Sequence, residues 1–261
     1  MRQELTKQVV KVGNSAGVIL PKKWLNGKAR IELIEKPLNI KSEVLEILGS
    51  YLSDIEGIYL VGSYAREEQN SGSDVDVLVI TSKIRRKIKV GKYYFLLLTR
   101  KDIENSLQNN ALPILPMLKE AKAIVNEELI IHYMNMSLTR KNVRSRIELS
   151  KSALAIDREM INLDKEWPSD CSDAVAYSLI LNLRMAHTIN KLRRNKKISN
   201  KELIHTIKKI SGSLNAYEGY LRVKNNEKDK EILPVEEADR LYSYIIKELR
   251  GIEKWLKGKK G

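Results

Sequence analysis

The chain has 261 residues, one cysteine, 47 Lys and Arg against 33 Asp and Glu, and a formal net charge of +14. A lone Cys171 excludes an internal disulfide framework and points to a reducing compartment. No apolar run approaches the ~18 residues of a membrane span, and the N-terminus lacks a signal-peptide core, so a cytoplasmic protein with no membrane partner is expected.

The basic excess is unevenly placed. Residues 1–36 carry eight Lys and Arg against three acids, residues 37–136 twelve against thirteen, and residues 137–261 twenty-seven against seventeen. Basic ends flanking a near-neutral middle suit a polyanionic partner, because Lys and Arg neutralise phosphates with release of counterions.

Along the chain, Leu5 to Val12 alternates into Gly13-Asn14-Ser15-Ala16-Gly17, followed by Val18-Ile19-Leu20-Pro21, a Lys22 to Gly27 turn and Ala29 to Ile34. Glycine and proline punctuation predicts three short strands. So small a β unit falls below the size at which a hydrophobic core sustains itself, so it must dock on the rest of the chain or intertwine with a second copy. The run Lys11-Val12-Gly13-Asn14-Ser15, then Gly17-Val18, Leu20-Pro21-Lys22 and Trp24-Leu25, resembles the AbrB/MazE-type swapped-hairpin DNA-binding domain. That resemblance implies a homodimer with Lys7, Lys11, Asn14, Ser15, Lys22, Lys23 and Arg30 facing DNA. The alternative is a hairpin that only packs on the rest of the chain.

The next informative stretch is Gly62-Ser63, ten intervening residues, and Asp74-Val75-Asp76 opening the apolar run Val77-Leu78-Val79-Ile80. Residues i and i+2 of a strand share a face, so both carboxylates converge while Val75 and Val77 enter a core. Two converging acids repel each other unless a cation lies between them. Hard oxygens suit Mg²⁺, which takes its remaining ligands from phosphates and water. Upstream, Ile58 to Val61 reads as another short strand, and the glycine after it lets the backbone approach a phosphate closely.

Gly62, Ser63, Ala65, Arg66, Ser73, Asp74 and Asp76 together resemble the pattern of the DNA polymerase β-like nucleotidyltransferases, in their minimal branch. The resemblance implies Asp74 and Asp76 as catalytic and Mg²⁺-binding groups. Gly62, Ser63, Arg66 and Ser73 would serve the nucleotide, an NTP for which ATP is the first expectation. It also implies a third carboxylate on a neighbouring strand. The next strand candidate, Tyr93 to Thr99, carries no acid, and Asp102 and Glu104 lie beyond it at a helix start near Thr99 to Lys101. Either one of these reaches back or the third ligand is missing. Lys83, Arg85, Arg86, Lys87, Lys89 and Lys92, alternating with Ile84, Ile88 and Val90, read either as a hairpin guiding a triphosphate or nucleic-acid end, or as a solvated edge that blocks strand pairing.

Beyond about residue 140 the apolar period becomes helical. Helices are predicted from Lys141 to Trp167, from Ser172 or Asp173 to about Arg194, from a Ser199–Glu202 capping box to about Tyr220, and from Leu233-Pro234-Val235 to Trp255. Pro168-Ser169-Asp170 separates the first two. This up-and-down four-helix bundle resembles those behind aminoglycoside-type nucleotidyltransferases and in HEPN domains. The arginine–histidine spacing of HEPN ribonucleases is absent, although Arg184, His187 and Asn190 share one helical face.

The resulting expectation is a multidomain chain: an all-β swapped-hairpin domain at 1–36, an α/β nucleotidyltransferase domain at 37–138 and an all-α four-helix bundle at 139–261. It would move a nucleoside monophosphate from an NTP to a protein, RNA or small-molecule hydroxyl, in an arrangement resembling the antitoxin half of toxin–antitoxin modules. The competing expectation is an inactive AbrB-type transcriptional regulator that uses the nucleotidyltransferase fold to sense nucleotide or as a scaffold.

Overall fold

The computed structural model describes residues 4–32, 39–167 and 169–258. Contacts divide the chain into two units, Met1–Ile40 and Lys41–Gly261.

In the first unit, β1 (Val9–Val12) and β2 (Ser15–Val18) form an antiparallel hairpin closed by the Val12–Ser15 pair. Gly13 takes φ +56° at the first central position of the turn, where a two-residue hairpin needs positive φ. A 3₁₀ turn follows at Lys22–Trp24 after Pro21. The predicted second strand, Val18 to Pro21, starts earlier than expected because Gly13-Asn14 alone makes the turn, so Ser15 already pairs. No strand forms from Ala29 to Glu32, while Leu33, Ile34 and the boundary expected at 36/37 lie outside the described residues. None of the unit's described residues is buried, and Val12, Ile19, Leu25 and Ile31 are 56%, 71%, 69% and 68% exposed.

The second unit opens within α1 (Ile40–Ile47), followed by a 3₁₀ turn (Gly49–Asp54), β3 (Ile55–Val61) and α2 (Gly62–Arg66). Then come β4 (Val75–Thr81), β5 (Arg86–Val90), β6 (Tyr93–Thr99), α3 (Arg100–Asn109), α4 (Leu115–Glu120), β7 (Lys122–Val125) and α5 (Glu127–Met134). The sheet order is β5-β6-β4-β3-β7, with β4 and β6 parallel and the other pairs antiparallel. Central β4 is covered on both faces, so its sequence reads as a nearly continuous apolar run. Val75, Val77, Leu78, Val79 and Ile80 are at most 1% exposed, and Asp76 is the single carboxylate interrupting them.

The helical region holds α6 (Arg140–Glu166), α7 (Asp173–Arg193), α8 (Asn200–Ser211), α9 (Asn215–Lys224) and α10 (Val235–Lys257). These are five helices among the described residues rather than the four expected, because the predicted Ser199–Tyr220 helix stops at Gly212 (φ +93°). The Ser211 hydroxyl donates to the carbonyls of Ile207 and Ser213, closing that end. The capping box at Ser199 is half formed. Ser199 Oγ accepts the Glu202 N–H, but the Glu202 carboxylate accepts from Lys191 instead of returning to the cap. The breaker Pro168 lies outside the described residues.

The sheet and bundle keep separate apolar cores, which meet at Leu107 and Met136. Buried Asn142 at the start of α6 ties them further, donating to the Leu107 carbonyl and accepting the Ala111 N–H.

One buried acid in the bundle makes stability depend on pH. Asp157 is 5% exposed, and burial pushes its carboxyl up to about 6, although the Ser178 hydroxyl donates to it and pulls the other way. The unfolded value is about 3.9. The native state therefore holds more protons between those values, and this group's contribution to stability falls as pH rises through about 6. Asp157→Asn is expected to raise the melting temperature at pH 7.5, with the advantage shrinking toward pH 4.5. A lower melting temperature for the variant across that whole range would mean that the charged carboxylate is stabilising.

Candidate active site

The site forms where β3 ends beside β4. After Val61 the chain turns sharply at Gly62, at φ +69°. A Cβ built there would lie 2.4 Å from Asp76 Oδ2 and 3.2 Å from Asp76 Cβ and Cγ. Glycine is thus required both by the backbone conformation and by the close approach of the Asp76 side chain. Ser63 follows in the single turn of α2, half-buried at the same corner.

The loop between α2 and β4 is held by its own polar side chains. Ser73 Oγ accepts the Asn70 N–H at 2.9 Å and donates to Asn70 Oδ1 at 3.1 Å, so Ser73 braces the turn that delivers Asp74. Asp74 is exposed and Asp76 half-buried. Burial and the Asp74 charge hold the Asp76 pKa above the ordinary carboxylate range, against the charges of Arg66 and Lys224. Among the described residues, the charges of Arg66 and Lys224 offset this rise without cancelling it. That is the environment of a divalent cation taking two carboxylate ligands and completing its shell with phosphate and water, so the donor set fits Mg²⁺.

Arg66 lies in this corner, but its guanidinium is engaged. Nε donates to Glu68 at 3.0 Å and Nη1 to Glu120 at 2.5 Å. Burial lowers the Arg66 pKa, but Glu120 and Glu68 outweigh it and leave a net rise, so the group stays charged. Lys224 at the end of α9 is the second cation whose field reaches Asp76, and it makes no ion pair among the described residues.

Of the two strands beside β4, β6 carries no acid, and Glu56 of β3 lies at the strand's far end, paired with Arg100. In register, Asp76 pairs with Val61 of β3 and Tyr94 of β6. Asp102 caps α3, accepting the Thr99 N–H at 3.1 Å and hydroxyl at 2.8 Å, so it does not reach back, and Glu104 is exposed on that helix. Among the described residues, no cluster of three or more His, Cys, Asp or Glu is placed to hold a metal.

Sequence reasoning passed over Glu120, the last residue of α4. Its Oε1 accepts the Gly62 N–H at 2.8 Å while Oε2 accepts from Arg66. Burial raises its pKa, Arg66 and the Gly62 bond oppose the rise, and the Asp76 charge adds to it. Glu120 comes here because β7, immediately after it, pairs with β3. That is a fact of sheet order, which no local motif signals.

The bundle walls the site through Glu68, whose Oε1 accepts the Ser199 hydroxyl at 2.5 Å and whose Oε2 accepts the Asn200 N–H at 2.9 Å. Arg184, His187 and Asn190 do not converge. Arg184 donates to the Tyr220 hydroxyl, whereas His187 and Asn190 line a separate polar cavity of about 280 Å³ in the bundle. Lys7, Lys11, Asn14, Ser15, Lys22, Lys23 and Arg30 are all exposed in the first unit, with Asn14 in the hairpin turn and Lys22 and Lys23 in the 3₁₀ turn. No helix among the described residues is long and apolar enough to cross a membrane.

Residues 41–132 match the family model described as nucleotidyltransferase domain. No curated protein matches the chain. Among solved structures, the chain is similar to spectinomycin adenyltransferase AAD(9) from Enterococcus faecialis, solved with ATP and spectinomycin. The identity is 16%, the TM-score 0.42, and the match covers 80% of this chain and 97% of that one. It is also similar to a nucleotidyltransferase-like protein from Exiguobacterium sibiricum 255-15, at 13% identity and a TM-score of 0.36, over 84% of this chain and 75% of that one. The matched stretch carries Gly62, Asp74 and Asp76, and a helical C-terminal region follows it.

Proposed function

We propose that the protein transfers a nucleoside monophosphate from an NTP to an acceptor hydroxyl. The observation that carries this reading is Asp76, a half-buried carboxylate on an otherwise apolar central strand, packed against a glycine turn and repelled by Asp74. Burying such a group is costly unless a cation compensates it.

Asp74 and Asp76 would hold Mg²⁺, which supplies charge neutralisation and orientation of the triphosphate. Gly62 and Ser63 form the corner against which phosphates pack. Arg66, held by Glu68 and Glu120, fixes that corner and keeps its field on the site. Lys224 is free to meet phosphate oxygens from the bundle side. The acceptor oxygen bonds to the α-phosphorus, the bond from that phosphorus to pyrophosphate breaks, and the hydroxyl proton passes to a carboxylate of the pair or to water.

The N-terminal hairpin would act as a DNA-binding, dimerising unit. Its apolar side chains are exposed and its chain is too short to bury them alone, which a second copy would remedy. Together these parts fit an antitoxin-like protein that binds DNA and modifies a target.

The test is incubation of purified protein with each labelled NTP, Mg²⁺ and total cell extract, beside an Asp74→Asn, Asp76→Asn variant. Label entering an acceptor only with the wild type is the expected result. Tyr94 beside Asp76, where an acid was expected, favours the second reading, a nucleotide-responsive regulator. Nucleotide and DNA binding without any transfer would establish that reading instead.

A further inference from the structure

The run of cations after β4 has no part in the chemistry above, yet the fold brings it to the same face of the sheet. From Val77 to Lys101 the sequence holds eight Lys and Arg and no acid. In register, Lys89 of β5 lies opposite Tyr94 of β6, and Tyr94 lies beside Asp76 of β4. Side chains paired across adjacent strands point to one face, so Asp76, Tyr94 and Lys89 form a row, and Leu78, Leu96 and Lys87 the next. With neighbouring strands ~4.8 Å apart, Lys89 starts roughly 10 Å from Asp76 across the sheet.

Beyond Tyr94 this face opens into a groove of about 480 Å³, floored by Leu96 and Leu98, walled by Ile114 and Met117, and rimmed by Arg85 and Lys87. Lys87 and Lys89 are exposed and make no ion pair among the described residues. Protection of an edge strand would account for lysines on β5. It does not account for an apolar recess beside Lys87 that begins at Leu96, one row along the sheet from Asp76 and Tyr94.

We propose that this groove receives the 3′ end of a single-stranded nucleic acid, which serves as acceptor of the nucleotidyl group. The inference rests on the transferase reading above. Lys87 and Lys89, two residues apart on a strand, are spaced by about 7 Å, close to consecutive phosphates of an extended single strand. The half-buried Tyr94 and the apolar floor offer the kind of surface on which bases stack irrespective of sequence. The terminal hydroxyl then lies toward Asp76. An acidic protein would satisfy the lysines but leave the apolar floor without a planar partner.

The experiment uses the full chain and its Lys87→Glu, Lys89→Glu variant with single-stranded RNA and DNA oligonucleotides. Each carries a 5′ fluorophore, a free 3′ hydroxyl and a photoreactive thio-base at the 3′ end. The N-terminal hairpin is identical in both proteins, so a difference reads β5 alone, and matching melting temperatures control for folding. Binding is expected to weaken at least tenfold in the variant. Its salt dependence is expected to lose about 1.4 from the log–log slope, at ~0.7 per phosphate contact for single strands. Photo-adducts of the wild type are expected on Tyr94–Leu98 or Pro113–Met117, and the RNA and DNA arms identify the preferred sugar.

Unchanged binding in the variant, or adducts confined to residues 4–32, would overturn the proposal. So would competition at β5 by an acidic peptide without any oligonucleotide binding. Adding labelled NTP and Mg²⁺ separates the two inferences. An oligonucleotide held at β5 but never labelled sinks the transferase reading and leaves the binding site standing. Label entering only a protein or small molecule, with the β5 lysines irrelevant, does the reverse.

Discussion

Asp76→Asn is expected to abolish nucleotidyl transfer while leaving the protein as stable as the wild type or more so. The two effects have one cause. In the folded chain the Asp76 carboxylate is pushed above its ordinary pKa by burial and by Asp74, so the native state binds its proton more tightly than the unfolded state does. A carboxyl shifted in that direction costs stability once pH rises past its unfolded value, and the amide removes the cost. The same substitution deletes a charge that would hold the metal. Lewis-acid and charge-neutralising roles contribute several kcal/mol to a phosphoryl-type transition state. At 1.36 kcal/mol per factor of ten, the loss is about 10³-fold or more in kcat/KM. Transfer measured beside thermal melting between pH 5 and 8 checks both halves. Transfer near the wild-type rate would remove Asp76 from the chemistry, and a drop of many degrees in melting temperature would make it a structural acid.

The parts of the site governed by strand periodicity are legible in the amino-acid sequence. Alternation puts Val75 and Val77 in a core and Asp76 on the opposite face, and the described strand agrees, although Leu78 and Ile80 on the Asp76 face are buried too, so only the start of that face is open to the site. Gly62 is legible as a turn because only a residue tolerant of positive φ suits an abrupt exit from a strand. The Thr99 helix start is legible because Asp102 completes a capping box there. That local bond is also why Asp102 cannot serve as the third acid. Glu120 is not legible, since its place depends on β7 pairing with β3 across more than sixty residues of chain. The break between α8 and α9 is written in the sequence as Ser211-Gly212-Ser213, but the helical period runs smoothly across it. A glycine in the left-handed region ends the helix there and overrides the apolar pattern around it. In the first unit the hairpin register is readable from Gly13. The fate of its apolar side chains is not, since intramolecular contacts leave them exposed.

Glu68 and Glu120 change how the arginine of the motif is to be understood. Read alone, Arg66 is a phosphate-binding cation; in the fold it is a strut. One carboxylate ties it to the Gly62 amide through Glu120, and the other ties it to the start of α8 through Glu68. The Gly62 turn is thereby braced against the helical region, and the bundle can set the geometry of the turn without contributing a group to it.

Gly62→Ala is the change expected to damage that geometry most. Two costs apply and they can be separated. The first is conformational: at φ +69° an L-residue pays about 1–2 kcal/mol that glycine does not. The second is steric: the new methyl would sit 2.4 Å from Asp76 Oδ2, so the Asp76 side chain must move. Displacement of about 1 Å at a reacting centre costs on the order of 10²-fold in rate, so transfer is expected to fall at least that far. The conformational cost alone lowers the melting temperature by about 2–8 °C, at ~2–4 °C per kcal/mol for a unit of this size. Combining Gly62→Ala with Asp76→Gly removes the clash but not the backbone strain. The double variant is therefore expected to be less destabilised than the two single changes predict together, and the coupling measures the contact. Strict additivity would mean that the close approach of Gly62 to Asp76 carries no energy. A Gly62→Ala protein with wild-type activity would mean that the turn does not position Asp76 at all.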